Sequence, residues 1–369
     1  MNGNARLTVA GLRQLVEKWD RTNPDDDPAA AAKFEMILDR LEWFGANHWA
    51  EYDPANHPEH SAQYLTRLAE WVGNVANEED QKLLLEYALH IAFFSRADLC
   101  ALYRTAFSGP ISRWVIAQEK LTLDDPGFQS RLADELHHRT WYCPVTDSMK
   151  INEFYHANLI TGISHRPDFA ALKMLDDRSS AKTGATASNV VDGLRNFIAN
   201  PKSYPAASAA PPLKRLVLLE DFVGTGTQSA EAIEWAARNV GLPILFVPLV
   251  VCVPGMKRLA KIAKAFAAKV KIHPLLQLGE RDLLGPNRNN ADGIANAKHL
   301  ETLANRTFEQ VTGGPHTNER QAPQTPFGFK KTGASFVSYS NTPNNTLPMI
   351  HHQPASGGWR PLFPRSARV

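Results

Sequence analysis

The stretch LVLLEDFVGTGTQ, Leu216 to Gln228, sets two adjacent acids against a loop of glycine and threonine. Loop amides from Gly224 to Gln228 would point at one centre, at the start of a helix beginning near Ser229. Oriented N–H groups and the positive end of a helix dipole make an anion site. Gly224 and Gly226 allow close backbone approach or a positive φ. Thr225 and Thr227 add hydroxyl donors, so the loop suits a phosphate. Glu220 and Asp221 would repel that phosphate unless they face another part of the ligand. The vicinal hydroxyls of a ribose supply the missing donors, and a ribose 5-phosphate unit satisfies both halves. A metal chelated by further phosphates of the ligand would relieve the repulsion.

Other phosphate and nucleotide patterns fit less well. A triphosphatase loop needs GxxxxGK[ST], and no lysine follows these glycines. The dinucleotide pattern GxGxxG fails at its third glycine, where Ser229 stands, and the next strand ends VVCVPG without the acid that ribose would need. A DNA methyltransferase loop, DPFxGSGT, is closer, and NTPN faintly parallels NPPY. The second proline and the aromatic residue are missing, however, and the paired acids have no role there. The ordinary alternative is a tight strand-to-helix turn whose acids cap it.

The elements that must position this stretch change character near residue 139. Before it, DPAAAAKFEMILDRLEWF reads as a helix capped by Asp27, with Pro28 at its first position. NEEDQKLLLEYALHIAFF reads as a second helix capped by Asn77. Ser95 to Ala106 and ISRWVIAQ add two more. From RTWYCPVT onward, strands and helices alternate. NEFYHANLI, PDFAALKML, NVVDGLRNFIAN, SAEAIEWAARNV and MKRLAKIAKAF are helical patterns; Leu216–Leu219, ILFVPLVVCV and KVKIHPLLQL are strands. Between them, DRSSAKTGATAS is a polar loop and PKSYPAASAAPPLK a connector. Two strands lack polar alternation, which marks a parallel sheet covered on both faces. Pro248 inside one of them removes a ladder donor and implies an edge or a bulge. Lys257, Lys261 and Lys264 share a helix face that reads as solvated. The histidine pairs His57/His60 and His137/His138 have no acids or thiols at ligand spacing, so no metal is expected there.

Apolar residues are 43% and charged residues 21% of the 369, an ordinary globular profile. No run of 18 apolar residues exists, so no membrane span is expected. The beginning, MNGNARLTVAGLRQ, lacks the pattern of a signal peptide. Three dispersed cysteines, Cys100, Cys143 and Cys252, suit a reducing cytoplasm rather than a disulfide framework. Net charge is +2, yet no acid follows Glu319, while Arg320, Lys330, Lys331, Arg360, Arg365 and Arg368 are basic. From about Thr312 the chain holds eight prolines and little periodicity except ASFVSYS. It reads as an extended arm wrapped on the core. Either its SNTPNNTLP forms turns, or the arm closes the site and turns its basic residues to phosphates or a nucleic acid.

Strand, two acids, two apolar residues and a Thr/Gly loop together resemble the ribose-phosphate signature of type I phosphoribosyltransferases. More narrowly, EDFVGTGT with the helical N-terminal region, SNTPNNTLP and WRPLFPR resembles a divergent phosphoribosyltransferase-like group of bacterial conflict systems, anti-phage and sometimes retron-associated. The resemblance implies an α/β fold: a parallel sheet of the type I phosphoribosyltransferase kind over 139–311, a helical N-terminal domain over 1–138, and a Pro-rich basic arm over 312–369. It implies 5-phosphoribosyl 1-pyrophosphate as ligand, with Mg²⁺ held by the ligand's pyrophosphate. Asp221 and Glu220 would serve the ribose and the catalytic step. Gly224, Thr225, Gly226, Thr227 and Gln228 would hold the 5′-phosphate. Ser148 and Lys150, in CPVTDSMK after the first strand, would touch the pyrophosphate. Phe222, Gly224 and Gln228 depart from the usual signature. Expected partners are a ribose phosphate or nucleotide, and a defence-system protein or nucleic acid on the arm. A nucleotide sensor without turnover and an S-adenosylmethionine-dependent methyltransferase are the alternatives.

Overall fold

The computed structural model describes residues 6–22, 32–53, 63–160, 188–199, 211–286, 293–314 and 325–365. It divides into two compact units, Met1–Asp98 with Gly279–Val369, and Leu99–Leu278. The segments 1–138, 139–311 and 312–369 expected from sequence are therefore cut at other points. The helices after residue 98 pack on the sheet, and the C-terminal segment returns to the N-terminal helices.

The first unit begins with α1 (Val9–Arg21), α2 (Lys33–Asn47), α3 (Tyr64–Val72) and α4 (Glu78–Ala88). Asp27 and Pro28 lie outside the described residues. The cap of α2 comes instead from Asp20 on α1, whose carboxylate accepts from the N–H groups of Phe34 (2.9 Å) and Glu35 (2.8 Å). Asn77 caps α4 as expected, accepting from the Asp80 N–H at 3.1 Å. The helical reading overran at its end: α4 stops at Ala88, and Ala92–Phe94 forms β1.

The second unit starts within α5 (Arg96–Ala106). A π-turn at Phe107–Ile111 contains Pro110, whose missing N–H breaks the regular ladder. Then come α6 (Ser112–Glu119), α7 (Phe128–His137), β2 (Thr140–Pro144), α8 (Ile151–Ala157), α9 (Ser188–Ala199), β3 (Arg215–Val223), α10 (Thr227–Asn239), β4 (Ile244–Cys252), α11 (Val253–Ala265), β5 (Val270–Ile272) and β6 (Leu276–Leu278). PDFAALKML and most of DRSSAKTGATAS and PKSYPAASAAPPLK lie outside the described residues. The sheet is parallel throughout, in the order β2-β3-β4-β5, with β6 also on β4. Every residue of β3 and β4 is buried, as the unalternating apolar runs required. Trp141, Leu216, Leu218, Ile233, Phe246 and Leu259 belong to one buried cluster. Tyr142 meets Phe154 and Phe107 instead, with ring centroids 5.4 and 6.2 Å away.

Pro248 corrects an expectation. It sits in an interior strand opposite Glu220, not at an edge or bulge. Its neighbour on the far side is split into β5 and β6. The Leu275 N–H donates to the Pro248 carbonyl in the gap between them, at 3.1 Å. A strand residue presents N–H and C=O on the same side, so the missing donor falls where no ladder continues. On α11, Lys257, Lys261 and Lys264 are exposed while Leu259 and Ile262 are buried, the solvated face that was expected.

The chain re-enters the first unit with α12 (Ala297–Thr312), β7 (Phe336–Ser338) and α13 (Pro348–His351). β7 pairs in parallel with β1. The C-terminal segment is thus core rather than a wrapped arm. Trp359, Leu362 and Phe363 are buried among α1–α4, and the Trp71 indole N–H donates to the Met349 carbonyl at 2.7 Å. The asparagines make turns: Asn341 accepts from the Thr342 N–H (2.9 Å) and Asn345 donates to Thr332 (2.8 Å). Arg360 pairs with Glu70 at 3.7 Å, which removes it from the expected basic footprint. Lys330 and Lys331 are exposed. Arg320 and Arg368 lie outside the described residues. Among the described residues no helix is long and apolar enough to cross a membrane.

Candidate functional site

The carboxyl ends of β2, β3 and β4 lie side by side, and the segment after each contributes to one region of the second unit. This is where open parallel sheets bind ligands. β3 is longer than Leu216–Leu219 and runs through both acids to Val223, because Glu220 and Phe222 continue the register with Pro248 and Val250. Glu220 and Asp221 are consequently buried, 4% and 8% exposed, rather than set on an open rim.

Two buried carboxylates side by side need donors, and the loop after β2 supplies them. The Thr146 N–H donates to Glu220 Oε2 at 3.0 Å, and the Thr146 hydroxyl lies 2.7 Å from Oε1. Ser148 Oγ stands 2.9 Å from Asp221 Oδ1, which also accepts from the Phe222 N–H at 2.8 Å. Thr146 Oγ1 and Ser148 Oγ are 2.7 Å apart. Both oxygens of Glu220 are therefore engaged within the protein. On Asp221 the Ser148 hydroxyl and the Phe222 N–H both meet Oδ1.

Burial pushes both acids up from their ordinary values. For Glu220 the repulsion of Asp221 adds to burial and carries it well above, against the pull of the Thr146 hydrogen bonds. For Asp221 the rise is offset by Ser148, by backbone N–H groups and by the charge of Lys150.

The Gly/Thr loop is shaped by close packing. Gly226 has φ +70° and is the N-cap of α10, with no side chain of its own to accept from the first-turn N–H groups. Thr225 and Thr227 hydroxyls approach to 3.2 Å. Gln228 is exposed within the first turn, since α10 begins two residues before Ser229. A Cβ on Gly226 would stand 3.2 Å from the Gly255 carbonyl oxygen, and one on Gly255 would stand 2.8 Å from that of Gly224. The start of α11 is thus pressed against the loop. This gives Gly226 a reason within the fold, beside any approach to a ligand. Arg258 is exposed, and its Cδ lies 3.6 Å from that same Gly226 Cβ position.

Along 144–153 opens a cleft of about 440 Å³, lined among others by Thr146, Asp147, Lys150, Asn152 and Glu153. The two residues singled out there in sequence have different settings. Lys150 is exposed on the cleft, whereas the Ser148 hydroxyl is turned to Asp221. Sequence reasoning did not find Thr146, Gly255 or Arg258. Thr146 stood in the quoted CPVTDSMK, but only the fold shows that it meets an acid 74 residues away.

A parallel sheet with paired acids in an inner strand, followed by a glycine-capped helix, defines an α/β protein with a glycine-threonine loop at a strand end. The class is narrower than that. The model of the PRTase-CE family matches residues 68–365, and the chain belongs to this family of phosphoribosyltransferase-like domains. No curated protein and no solved structure matches it.

Proposed function

We propose that the second unit binds a ribose 5-phosphate unit, and that its full ligand is 5-phosphoribosyl 1-pyrophosphate. The observation that carries this is the buried acid pair at the end of β3, Glu220 and Asp221, one loop away from the glycine-capped start of α10. The 5′-phosphate would take the amides of 224–228 and the Thr225 and Thr227 hydroxyls, with Arg258 adding charge from α11. A ribose hydroxyl would donate to Asp221. Glu220, with both oxygens engaged by Thr146, would anchor the loop that carries Lys150.

The pyrophosphate would lie in the 144–153 cleft. One lysine there faces the carboxylates of Asp147 and Glu153 as well as the ligand's own charge, so a divalent cation carried by the pyrophosphate fits the balance. Mg²⁺ bound in this way supplies neutralisation of the leaving group. The protein's part in displacement at the anomeric carbon is positioning, with the Asp221 carboxylate near the positive charge that develops on the ribose. The paired acids have no task in the methyltransferase alternative, and the family match speaks for the ribose phosphate. A role in anti-phage defence, in the cytoplasm and with a protein or nucleic-acid partner, extends the same proposal from the family resemblance.

Asp221→Asn is expected to weaken ribose 5-phosphate binding by roughly 10- to 150-fold, the loss of one charge-assisted hydrogen bond of about 1.5–3 kcal/mol. Calorimetry on the folded variant checks this, and unchanged affinity refutes the assignment. Release of labelled pyrophosphate with candidate acceptor bases separates a transferase from a binding protein.

A further inference from the structure

The acid pair and the two hydroxyls form a chain of four oxygens: Glu220 Oε1, Thr146 Oγ1, Ser148 Oγ and Asp221 Oδ1. Successive separations are 2.7, 2.7 and 2.9 Å. Each such contact between oxygens needs a proton, since two bare lone pairs at that distance repel. Three links need three protons, and the two hydroxyls own one each. The third must come from a carboxyl group. We propose that the ligand-free pair holds one proton, carried on Glu220, and that Thr146 and Ser148 link the two acids so that Asp221 stays ionised to accept from a sugar hydroxyl.

In this arrangement the Glu220 carboxyl donates to Thr146, Thr146 donates to Ser148, and Ser148 donates to the Asp221 carboxylate. A concerted shift of the three protons moves the negative charge to Glu220 and reverses every link, so no proton is gained or lost. The surroundings favour the first form. Burial opposes charge on both acids; on Glu220 the nearby Asp147 adds to it against the Thr146 hydrogen bonds, whereas on Asp221 Ser148, the Phe222 N–H and Lys150 offset it. Opposite both acids, β4 presents Pro248, Leu249 and Val250, with no titratable group. Two acids pushed apart in this way divide their work, one neutral donor and one anionic acceptor. The part concerning sugar hydroxyls rests on the proposed function; the proton does not.

The test uses the full chain without ligand. Glu220→Gln places an amide N–H where the proposed carboxyl O–H stands and keeps an acceptor for the Thr146 N–H. Glu220 has its protonation midpoint raised on folding, so the folded chain holds more protons than the unfolded one between the two midpoints. Its contribution to stability is full below the unfolded midpoint and falls as pH rises through that window. The Gln variant keeps its proton-like donor at every pH. Its Tm is expected to gain on the wild type as pH rises above the ordinary carboxylate range, while Glu220→Ala loses stability throughout. Infrared spectra at neutral pH should show a protonated-carboxyl C=O stretch in the wild type that Glu220→Gln lacks. A Gln variant that falls as far as the Ala variant, or the absence of that band, overturns the proposal. If the band is present and ribose 5-phosphate gives no thermal shift, the ligand reading fails and the proton inference stands.

Discussion

A chain cut after Gly328 is expected to lose the folded first unit. The removed segment takes away Leu347, Ile350, Trp359, Leu362 and Phe363, all fully buried, and with them strand β7. Each large apolar side chain contributes about 1.5–3 kcal/mol through burial, and a whole domain has only about 5–15 kcal/mol in hand. Polar groups left behind add to the loss. The Trp71 indole would lack the Met349 carbonyl, buried Arg67 the Leu362 carbonyl at 2.9 Å, and Tyr52 the Pro364 carbonyl at 2.5 Å. Rapid proteolysis within residues 1–98 and loss of helical circular dichroism are the expected readouts. A truncated chain with the melting transition and protease resistance of the full one would refute this. Trp359→Ala alone is expected to cost about 3–5 kcal/mol.

That C-terminal segment shows where sequence stopped being informative. GGWRPLFPR has neither helical nor strand periodicity, so pattern gives it no partner. Its burial comes from irregular backbone whose carbonyls are taken by side chains nearly 300 residues earlier, as with Arg67 and Leu362. The sheet was legible for the opposite reason. LVLL and ILFVPLVVC are apolar without alternation, and only a strand covered on both faces needs that. The end of β3 was not legible. Two acids and a following glycine read locally as a strand's exit, but the pairing of Glu220 and Phe222 with β4 and the donors from Thr146 and Ser148 keep the chain extended and buried. Burial turns a pair of solvated ligands into a coupled pair with one partner already fixed. The acids and the glycine loop were visible in the residues, while the different settings of Glu220 and Asp221 depend on a loop that sequence could only nominate.

Gly255→Val is expected to destroy the glycine-threonine loop proposed to hold the 5′-phosphate, and to do so more thoroughly than a change in the loop itself. A Cβ at Gly255 would stand 2.8 Å from the Gly224 carbonyl oxygen, 3.0 Å from that of Val223 and 3.0 Å from Val223 Cγ1. Two of the three obstacles are backbone atoms at the end of β3, and they cannot rotate away as a side chain can. Either α11 withdraws from the sheet or the turn at 224–226 changes shape, and overpacking of this kind costs about 1–3 kcal/mol or more. Gly226→Val fails for a second reason. Its φ of +70° costs a non-glycine residue about 1–2 kcal/mol, more for a branched one, and its Cβ would press on Gly255 at 3.2–3.3 Å. Both variants should melt lower, and, on the proposed function, any folded fraction should bind ribose 5-phosphate at least 10-fold more weakly, since the loop that offers its amides to the phosphate would change shape. Lys261→Ala, on the solvated face of α11, is the control and should change neither quantity measurably. If Gly255→Val melts and binds like the wild type, the contact between α11 and the glycine turn is not what shapes the loop.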